Sequence, residues 1–345
     1  MITPRALGPW LVLFVLVIGG GWWAAQRKLT TSSPNSLVAL GQKLFNDPHL
    51  SADGNVRCAS CHILEKAFTD GRRVAIGING RIGTRNTPSL AAIGASTTTS
   101  FFWDGRRAAL EQAVLDPLTN PVEMGLHDNT VAVGKLVNDA GYRAAFSSSF
   151  PDAAPFITSA HIAAALSAYV RSLNQRASAF DRYQVTHDPS ALSALAKQGL
   201  ILFSGKAQCA ECHRLDGTPV SLTDNAYHRT SAEPSAVEQN LPALTQAVIE
   251  RSLRDADIGR RVATHVDEAQ LGRFNVTLNP GDIGLFRTPS LRNVVSTAPY
   301  MHDGSVPTLD EAIDREVYYR SLQSGHPLNL SVMEKQELKA FLEAL

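Results

Sequence analysis

The apolar residues of this chain fall into a few helical stripes separated by long polar stretches. From Ala6 to Ala25 there is no charge, and the run Leu11 to Ile18 is wholly aliphatic or aromatic. That length suits a membrane-spanning helix and exceeds the apolar part of most cleaved leaders. Trp10, Trp22 and Trp23 sit at its ends, as interfacial aromatics do. A bulky Trp stands where a cleavage site needs a small residue, so residues 1–28 read as an uncleaved anchor in preference to a removed signal. Residues 29–36, rich in Thr, Ser, Pro and Asn, read as a linker. Leu37, Leu40, Leu44 and Phe45 then recur at helical spacing. Residues 63–100 are rich in Gly, Thr and Ser with little periodicity, which predicts a long ordered loop. Helices are predicted over 107–115 and 130–147. An amphipathic helix is predicted from Ser159 to Arg176, with Ile162, Leu166, Tyr169, Val170 and Leu173 on one side. Asp188-Pro189-Ser190 marks a turn, and the next helix carries Leu195, Leu200, Ile201 and Phe203. Strand-like alternation is scarce, so the class is mainly α.

Composition adds little but exclusion. The 345 residues allow two domains, and 44% are hydrophobic. Lys plus Arg and Asp plus Glu both number 32, with no basic stripe to suggest nucleic acid.

The cysteines add more. All four lie in Cys58-Ala59-Ser60-Cys61-His62 and Cys209-Ala210-Glu211-Cys212-His213. Two thiols on one turn followed by histidine form the attachment signal for c-type haem. The thiols add to the haem vinyl groups, and His62 or His213 lies under the iron as an axial ligand. A redox pair needs no trailing histidine, and half a zinc site tolerates other spacings. Two copies with no cysteine left over favour haem. Such haem is attached outside the bacterial cytoplasm, which places the body on the periplasmic side of the inner membrane, or free in the periplasm if the N-terminus is cleaved.

The chain repeats itself around these motifs. Leu44-Phe45 precedes Cys58, and Leu202-Phe203 precedes Cys209. Arg85-Asn86-Thr87-Pro88-Ser89-Leu90 is echoed by Arg287-Thr288-Pro289-Ser290-Leu291, and Phe102-Trp103-Asp104-Gly105 by Met301-His302-Asp303-Gly304. This predicts duplicated mono-haem domains, residues 37–187 and 188–345.

From about residue 37 to 345 these motifs, with Asn120-Pro121-Val122-Glu123-Met124-Gly125, resemble the bacterial di-haem cytochrome c peroxidase family, which includes the MauG-type enzymes. The resemblance implies two cytochrome-c-like domains in tandem. The N-terminal haem is then the peroxide site, the C-terminal haem the electron-transfer site, and calcium lies between them. Glu123 matches the distal acid/base, Pro117 the distal-pocket proline and Trp103 the inter-haem tryptophan. The Asn86 side chain and the carbonyls of Thr297 and Pro299 match the calcium ligands. Gln112 stands one residue before the position of a peroxide-orienting glutamine, which Ala113 occupies. One residue on a helix is a turn of about 100°.

Two departures follow. Where the family's activatable peroxidases carry a distal histidine, this chain has Ile78, which implies a first haem open on its far face. The far ligand of the second haem, Met in peroxidases and Tyr in MauG, falls here on Glu316, with Tyr319 a helical turn further on. The alternatives are Glu316, Tyr319 or neither. His302 echoes Trp103 and is expected near a haem edge. His49, His127, His161, His187, His228, His265 and His326 carry no assigned role.

The expected function is a peroxidase that reduces hydrogen peroxide with electrons from a c-type cytochrome or cupredoxin. The rivals are a MauG-like enzyme that oxidises a protein side chain and a plain electron carrier. The chain is compatible with a homodimer.

Overall fold

The helix before each Cys-x-x-Cys-His motif is pinned by one glycine. In the computed structural model, helix Pro34–Phe45 crosses helix Ser159–Ser172 so closely that a Cβ on Gly41 would fall 2.0 Å from the Ala165 carbonyl oxygen. Helix Ala194–Ser204 crosses helix Val332–Leu342 in the same way. A Cβ on Gly199 would fall 1.9 Å from the Glu337 carbonyl oxygen. Each pair closes one hydrophobic core. The first gathers Leu40, Leu44, Phe45, Phe146, Ile162 and Leu166. The second gathers Phe180, Phe203, Val294, Ile313, Leu338 and Phe341. Residues Ser32–Leu345 form one compact unit around these cores.

The structure describes residues 34–345 except 96–97, 156, 174–177, 218–219, 230–239 and 256. The expected anchor lies outside the described residues. No described helix is long and apolar enough to cross a membrane.

The periodic stretches fold as helices, with different ends. The first starts at Pro34, inside the expected linker, because proline suits the first helical turn. The 107–115 stretch yields only Leu110–Ala113, followed by Asp116–Thr119. The 130–147 stretch divides into Asn129–Val137 and Ala140–Ser149, because the Asp139 carboxylate accepts from Tyr142 N–H at 2.8 Å and caps a new helix. Leu195 and Ile201 are exposed, because the glycine crossing turns Ala196, Gly199 and Phe203 inward instead. The described residues of 63–100 form the expected loop, with short 3-10 turns at Leu64–Lys66, Ile78–Gly80 and Ile93–Ala95.

Four helices for which the sequence reading made no assignment lie between Leu241 and Thr277 among the described residues: Leu241–Arg254, Ile258–Thr264, Val266–Ala269 and Phe274–Thr277. This region has a small core of Val248, Leu271 and Phe274. It is clamped to the first half, where Thr84 Oγ1 donates to Val262 O at 2.7 Å and Arg273 Nη1 to Gly105 O at 2.8 Å. One sheet is described, pairing β1 (Tyr227–Arg229) with β2 (Leu285–Arg287) antiparallel, His228 opposite Phe286.

The halves meet through a reciprocal exchange. Asn86 N–H donates to His302 O, and Arg287 N–H donates to Trp103 O, both at 2.8 Å. Phe102 and Met301, which precede Trp103 and His302, both have left-handed backbones, φ 68° and 71°. Gly105 and Gly304 end the two loops where the other half presses in. A Cβ there would fall 1.8 Å from the Tyr227 hydroxyl and 2.1 Å from Arg73 O. The repeat read in the sequence is thus a repeat of hydrogen bonds.

Candidate active site

Each Cys-x-x-Cys-His motif makes one tight turn. His62 N–H donates to Cys58 O and His213 N–H to Cys209 O, both at 2.9 Å, which gathers the thiols and imidazole of each motif on one short turn. Each imidazole is then held from behind. His62 Nδ1 lies 2.8 Å from Phe68 O and His213 Nδ1 lies 3.0 Å from Leu222 O. A carbonyl only accepts, so Nδ1 carries the proton and Nε2 presents a bare lone pair. Phe68 and Leu222 both adopt left-handed backbones, φ 60° and 55°. Burial lowers the pKa of both histidines, which keeps them neutral as a metal ligand must be.

Both motifs open on one continuous cavity of about 460 Å³, lined by Cys58, Cys61, His62, Cys209, Cys212 and His213. Its wall also holds buried polar atoms with no partner among the described residues: the Arg85 guanidinium, Thr87 Oγ1 and His302 Nδ1. Paired thiols, a tautomer-fixed imidazole in each half and unpaired cationic surface fit two covalently held, anionic macrocycles. One rival donor set is present. Cys212, Asp224 and His228 bring ligating atoms within 4.8 Å of one another. It uses neither Cys209 nor His213, and a thioether at Cys212 would remove its sulfur ligand.

At the first end of the cavity stand Pro117, on the short helix Asp116–Thr119, and Glu123. Glu123 sits on a turn closed by Gly125 N–H donating to Asn120 O at 2.9 Å, with Gly125 at φ 68°. Asn120 Nδ2 donates to Glu123 Oε1 at 2.6 Å, while its Oδ1 accepts from Val122 N–H at 3.0 Å. Glu123 is half-buried and lines the cavity. Burial raises its pKa, Arg106 opposes this, Asp116 adds to it, and the Asn120 bond opposes it. A carboxyl held this way keeps its proton to higher pH than an exposed one does.

Ile78 is buried, but it does not line the cavity among the described residues. Its N–H donates to Glu123 O at 2.9 Å, and its Cδ1 would lie 2.1 Å from a Cβ on Gly125. It supports the Glu123 turn from behind. Gln112 is exposed and does not line the cavity, whereas Ala113 does, so Gln112 is removed from the site. The one-residue offset on the helix decides this.

Trp103 lies on the wall between the ends, its indole N–H donating to Asn86 O at 2.8 Å. Arg106 packs 3.5 Å from the centre of the Phe102 ring beside it. His302 is buried at the junction, stacked on Phe286 at 3.7 Å, with Nε2 2.6 Å from Gln270 Oε1. Asn86, Thr297 and Pro299 line the same cavity. Asn86 Nδ2 donates to Arg72 O at 3.0 Å, which leaves Oδ1 as its ligating atom.

At the second end, helix Leu309–Ser324 turns Leu309, Ala312, Ile313, Glu316, Val317 and Arg320 to the cavity. Tyr319 does not line it and packs edge-on against Tyr318. Arg320 pairs with Glu211 of the second motif.

Three contributors lacked a distinguishing signal in the sequence. Asn120 and Arg85 lay inside quoted motifs without an assigned role. His228 carried no assigned role, yet it lines the cavity, 2.7 Å from Asp224 Oδ2 and beside Cys212. Of the others, His49, His127, His187 and His326 are exposed, and His161 stacks on Phe150 at 4.3 Å. His265 bonds to Arg251.

Two haem-attachment turns facing one cavity define a di-haem c-type cytochrome with room for chemistry at one end. Residues 35–189 match the di-haem cytochrome c peroxidase family, and residues 286–319 match a RoxA-like, cytochrome c-like family. The chain is 34% identical over 319 residues to the cytochrome-c peroxidase IdrP1 of Denitromonas iodatirespirans, a match covering 89% of this chain and 81% of that protein. It is 32% identical over 313 residues to the methylamine utilization protein MauG of Methylorubrum extorquens, covering 89% and 77%. It superposes on a crystal structure of a MauG-like protein associated with microbial copper homeostasis with a TM-score of 0.72, at 32% identity, over 90% of this chain and 89% of that one. The chain belongs to the di-haem cytochrome c peroxidase family, MauG included. Membership implies two haem c groups, a peroxide substrate and a redox partner or protein substrate.

Proposed function

We propose that this protein is a peroxidase anchored in the inner membrane and facing the periplasm. It reduces hydrogen peroxide to two waters, consuming two protons and two electrons from a c-type cytochrome or cupredoxin. The observation that carries this reading is the single cavity with a His-fixing turn at each end, Glu123 at the first end and Trp103 between. When bound, the haems supply iron for electron transfer and for peroxide cleavage.

The chain's own residues do the rest. His62 and His213 each offer Nε2 to iron, held by the Phe68 and Leu222 carbonyls. Glu123 takes the proton from the inner peroxide oxygen and returns it to the outer one, oriented by Asn120. Pro117 keeps the space beside it apolar. Trp103, fixed through Asn86 O, bridges the two centres. Asn86 Oδ1 with the carbonyls of Thr297 and Pro299 offers hard oxygen ligands to a calcium ion. No cluster of His, Cys, Asp or Glu occurs there among the described residues, so the site relies on neutral oxygens. Removing calcium with a chelator should disturb the spectra of both haems, and unchanged spectra would remove that ion from the reading.

A second reading has its own support. Ile78 offers no ligand to the first centre, and the cavity face of helix Leu309–Ser324 carries neither Met nor Tyr. The missing ligand at Ile78 and the missing Met suit a MauG-like enzyme that oxidises a protein side chain; the Tyr that MauG uses is missing from that face as well. Electron paramagnetic resonance of the ferric holoprotein should show a high-spin first haem, and a purely low-spin spectrum contradicts the open face. Fast oxidation of reduced cytochrome c by peroxide supports the peroxidase. Poor turnover with donors, together with peroxide-dependent modification of a partner protein seen by mass spectrometry, supports the second reading.

A further inference from the structure

Arg85 is the least satisfied charge in the described structure. Its guanidinium is enclosed on the cavity wall, and none of its three nitrogens has a hydrogen-bond partner among the described residues. Burial holds its pKa down at about 10, still well above any working pH. The nearby carboxylates are engaged elsewhere. Asp104 gives both oxygens to Arg106 Nη1 at 3.1 Å, and Asp303 Oδ1 accepts from Ser305 N–H at 3.1 Å. Among the described residues, the neighbouring guanidinium of Arg287 bonds only to carbonyls, Phe102 O at 3.3 Å and Thr288 O at 3.4 Å. His302 adds no anion, since burial and Arg85 keep it neutral. The junction between the halves therefore carries surplus positive charge facing an apolar cavity. A buried guanidinium cannot shed its proton and is not a resting feature of a fold without an anion.

The loop around Arg85 narrows what that anion is. The guanidinium rests 4.8 Å from the Phe286 ring centre, which fixes its position. Thr87, two residues on, is buried with an unpartnered hydroxyl on the same cavity wall. Ser89, two further on, donates to Ala67 O at 2.6 Å. That bond ties the loop to the strap whose Phe68 carbonyl holds His62. A forked cation and a hydroxyl donor on one cavity wall, on a loop tied to the strap behind His62, match a carboxylate.

We infer that Arg85 and Thr87 seat a propionate carboxylate of the first haem at the junction between the two halves. The inference rests on the di-haem reading above. Arg85 acts here as a positioning residue that also sets the electrostatics of the first centre. A cation beside that haem favours its reduced state, so removing the charge shifts the equilibrium toward ferric.

The test uses full-length holoprotein. Haem is counted by pyridine haemochrome, each centre is titrated spectroelectrochemically, and propionate bending modes are followed by resonance Raman. Arg85→Met with two haems per chain should shift the first haem's reduction equilibrium about tenfold toward the oxidised form, or about 59 mV for a one-electron couple. It should also move one propionate mode. Arg85→Lys should restore most of the equilibrium but not the mode, because a point charge replaces a fork. A fully loaded Arg85→Met with both readouts unchanged, or with the shift confined to the second haem, overturns the assignment. If Arg85→Met does not fold, Thr87→Val removes only the hydroxyl and should still move the mode; an unmoved mode overturns it equally. Wild-type protein carrying fewer than two haems would instead overturn the di-haem reading itself.

Discussion

Glu123→Gln keeps the shape of the side chain and removes its ability to take a proton. A positioned general base contributes about 10²–10⁴ in rate, which is about 3–5 kcal/mol of barrier at 1.36 kcal/mol per decade. The structure adds a sign and a second variant. Burial raises the Glu123 pKa against the opposing pull of Arg106 and of the 2.6 Å Asn120 bond. The group works as a base, so cleavage should slow as pH falls through that raised value, above the usual carboxylate range. Asn120→Ala removes the donor to Oε1. A hydrogen bond to a charged group is worth about 1.5–3 kcal/mol, so the acid limb should move to higher pH and cost one to two decades of rate there. The assay is stopped-flow mixing of ferric holoprotein with excess peroxide across the pH range. The same group also affects stability. The folded state binds this proton more tightly than the unfolded chain does, so its contribution is full at low pH and is lost as pH rises through the raised value. An undiminished rate in Glu123→Gln, or an acid limb that survives in it, would falsify the assignment of Glu123 as the base.

Four further outcomes follow from the same geometry. Gly199→Ala places a methyl 1.9 Å from Glu337 O and should cost about 1–3 kcal/mol by overpacking, read as a lower urea midpoint; an unchanged midpoint would mean the helices do not cross so tightly. Arg292 is buried and forks onto Asp181 at 2.9 and 3.0 Å. Asp181→Asn should destabilise by about 3–5 kcal/mol. Burial raises the Asp181 pKa but Arg292 and Ser178 outweigh it and leave it lowered, so wild type should lose this stability only as pH falls through that low value, while the variant shows no such acid loss. Trp103→Phe removes the indole donor to Asn86 O and should slow electron transfer between the haems in flash or rapid-mixing experiments while leaving both haems bound; equal rates would reduce Trp103 to packing. Gln112→Ala should leave peroxide cleavage unchanged, since Gln112 is exposed, and a large loss would contradict its placement.

Legibility differed along the chain for physical reasons. The attachment turns were fully readable, because their chemistry needs particular residues at fixed spacing. The helices assigned from periodicity were readable, except where a cap cut in, as Asp139 does, or where a glycine crossing chose the buried face, as Gly199 does for Leu195 and Ile201 in the second half. Three of the helices between Leu241 and Thr277 have only one or two turns, too short to show a period, and one is bonded to the first half by Thr84 to Val262 O. The fourth, Leu241–Arg254, does carry an apolar stripe in Leu241, Leu244 and Val248, and the sequence reading passed over it. Glu123, Trp103 and Pro117 were identified by motif and do line the cavity. Arg85 was not singled out, because an arginine in a loop usually faces water. Only the enclosure of all three of its nitrogens shows otherwise.

The duplicated scaffold does not account for the difference between its two ends; the walls facing the two attachment turns do. Both histidines are held by the same bond to a left-handed residue's carbonyl. At the first end, the turn over residues 120–125, closed by Gly125 N–H to Asn120 O, delivers a carboxyl that Ile78 props from behind. The second half's far wall is instead a helix, and a helix restricts what it can offer. Its cavity face repeats at 309, 312, 313, 316, 317 and 320. Tyr319 lies about 60° from Glu316 around the axis, so using it requires the helix to rotate or its ring to leave the contact with Tyr318. Glu316 needs no rotation. A second centre without a thioether ligand from this helix has a lower potential than a methionine-ligated one. Such a centre is a poorer acceptor for a high-potential donor. The identity of the side chain at 316 therefore bears on which partner can drive the reaction, and Glu316→Met should raise the second haem's potential if this helix supplies the far ligand. An unchanged potential in a fully loaded Glu316→Met protein would show that it does not.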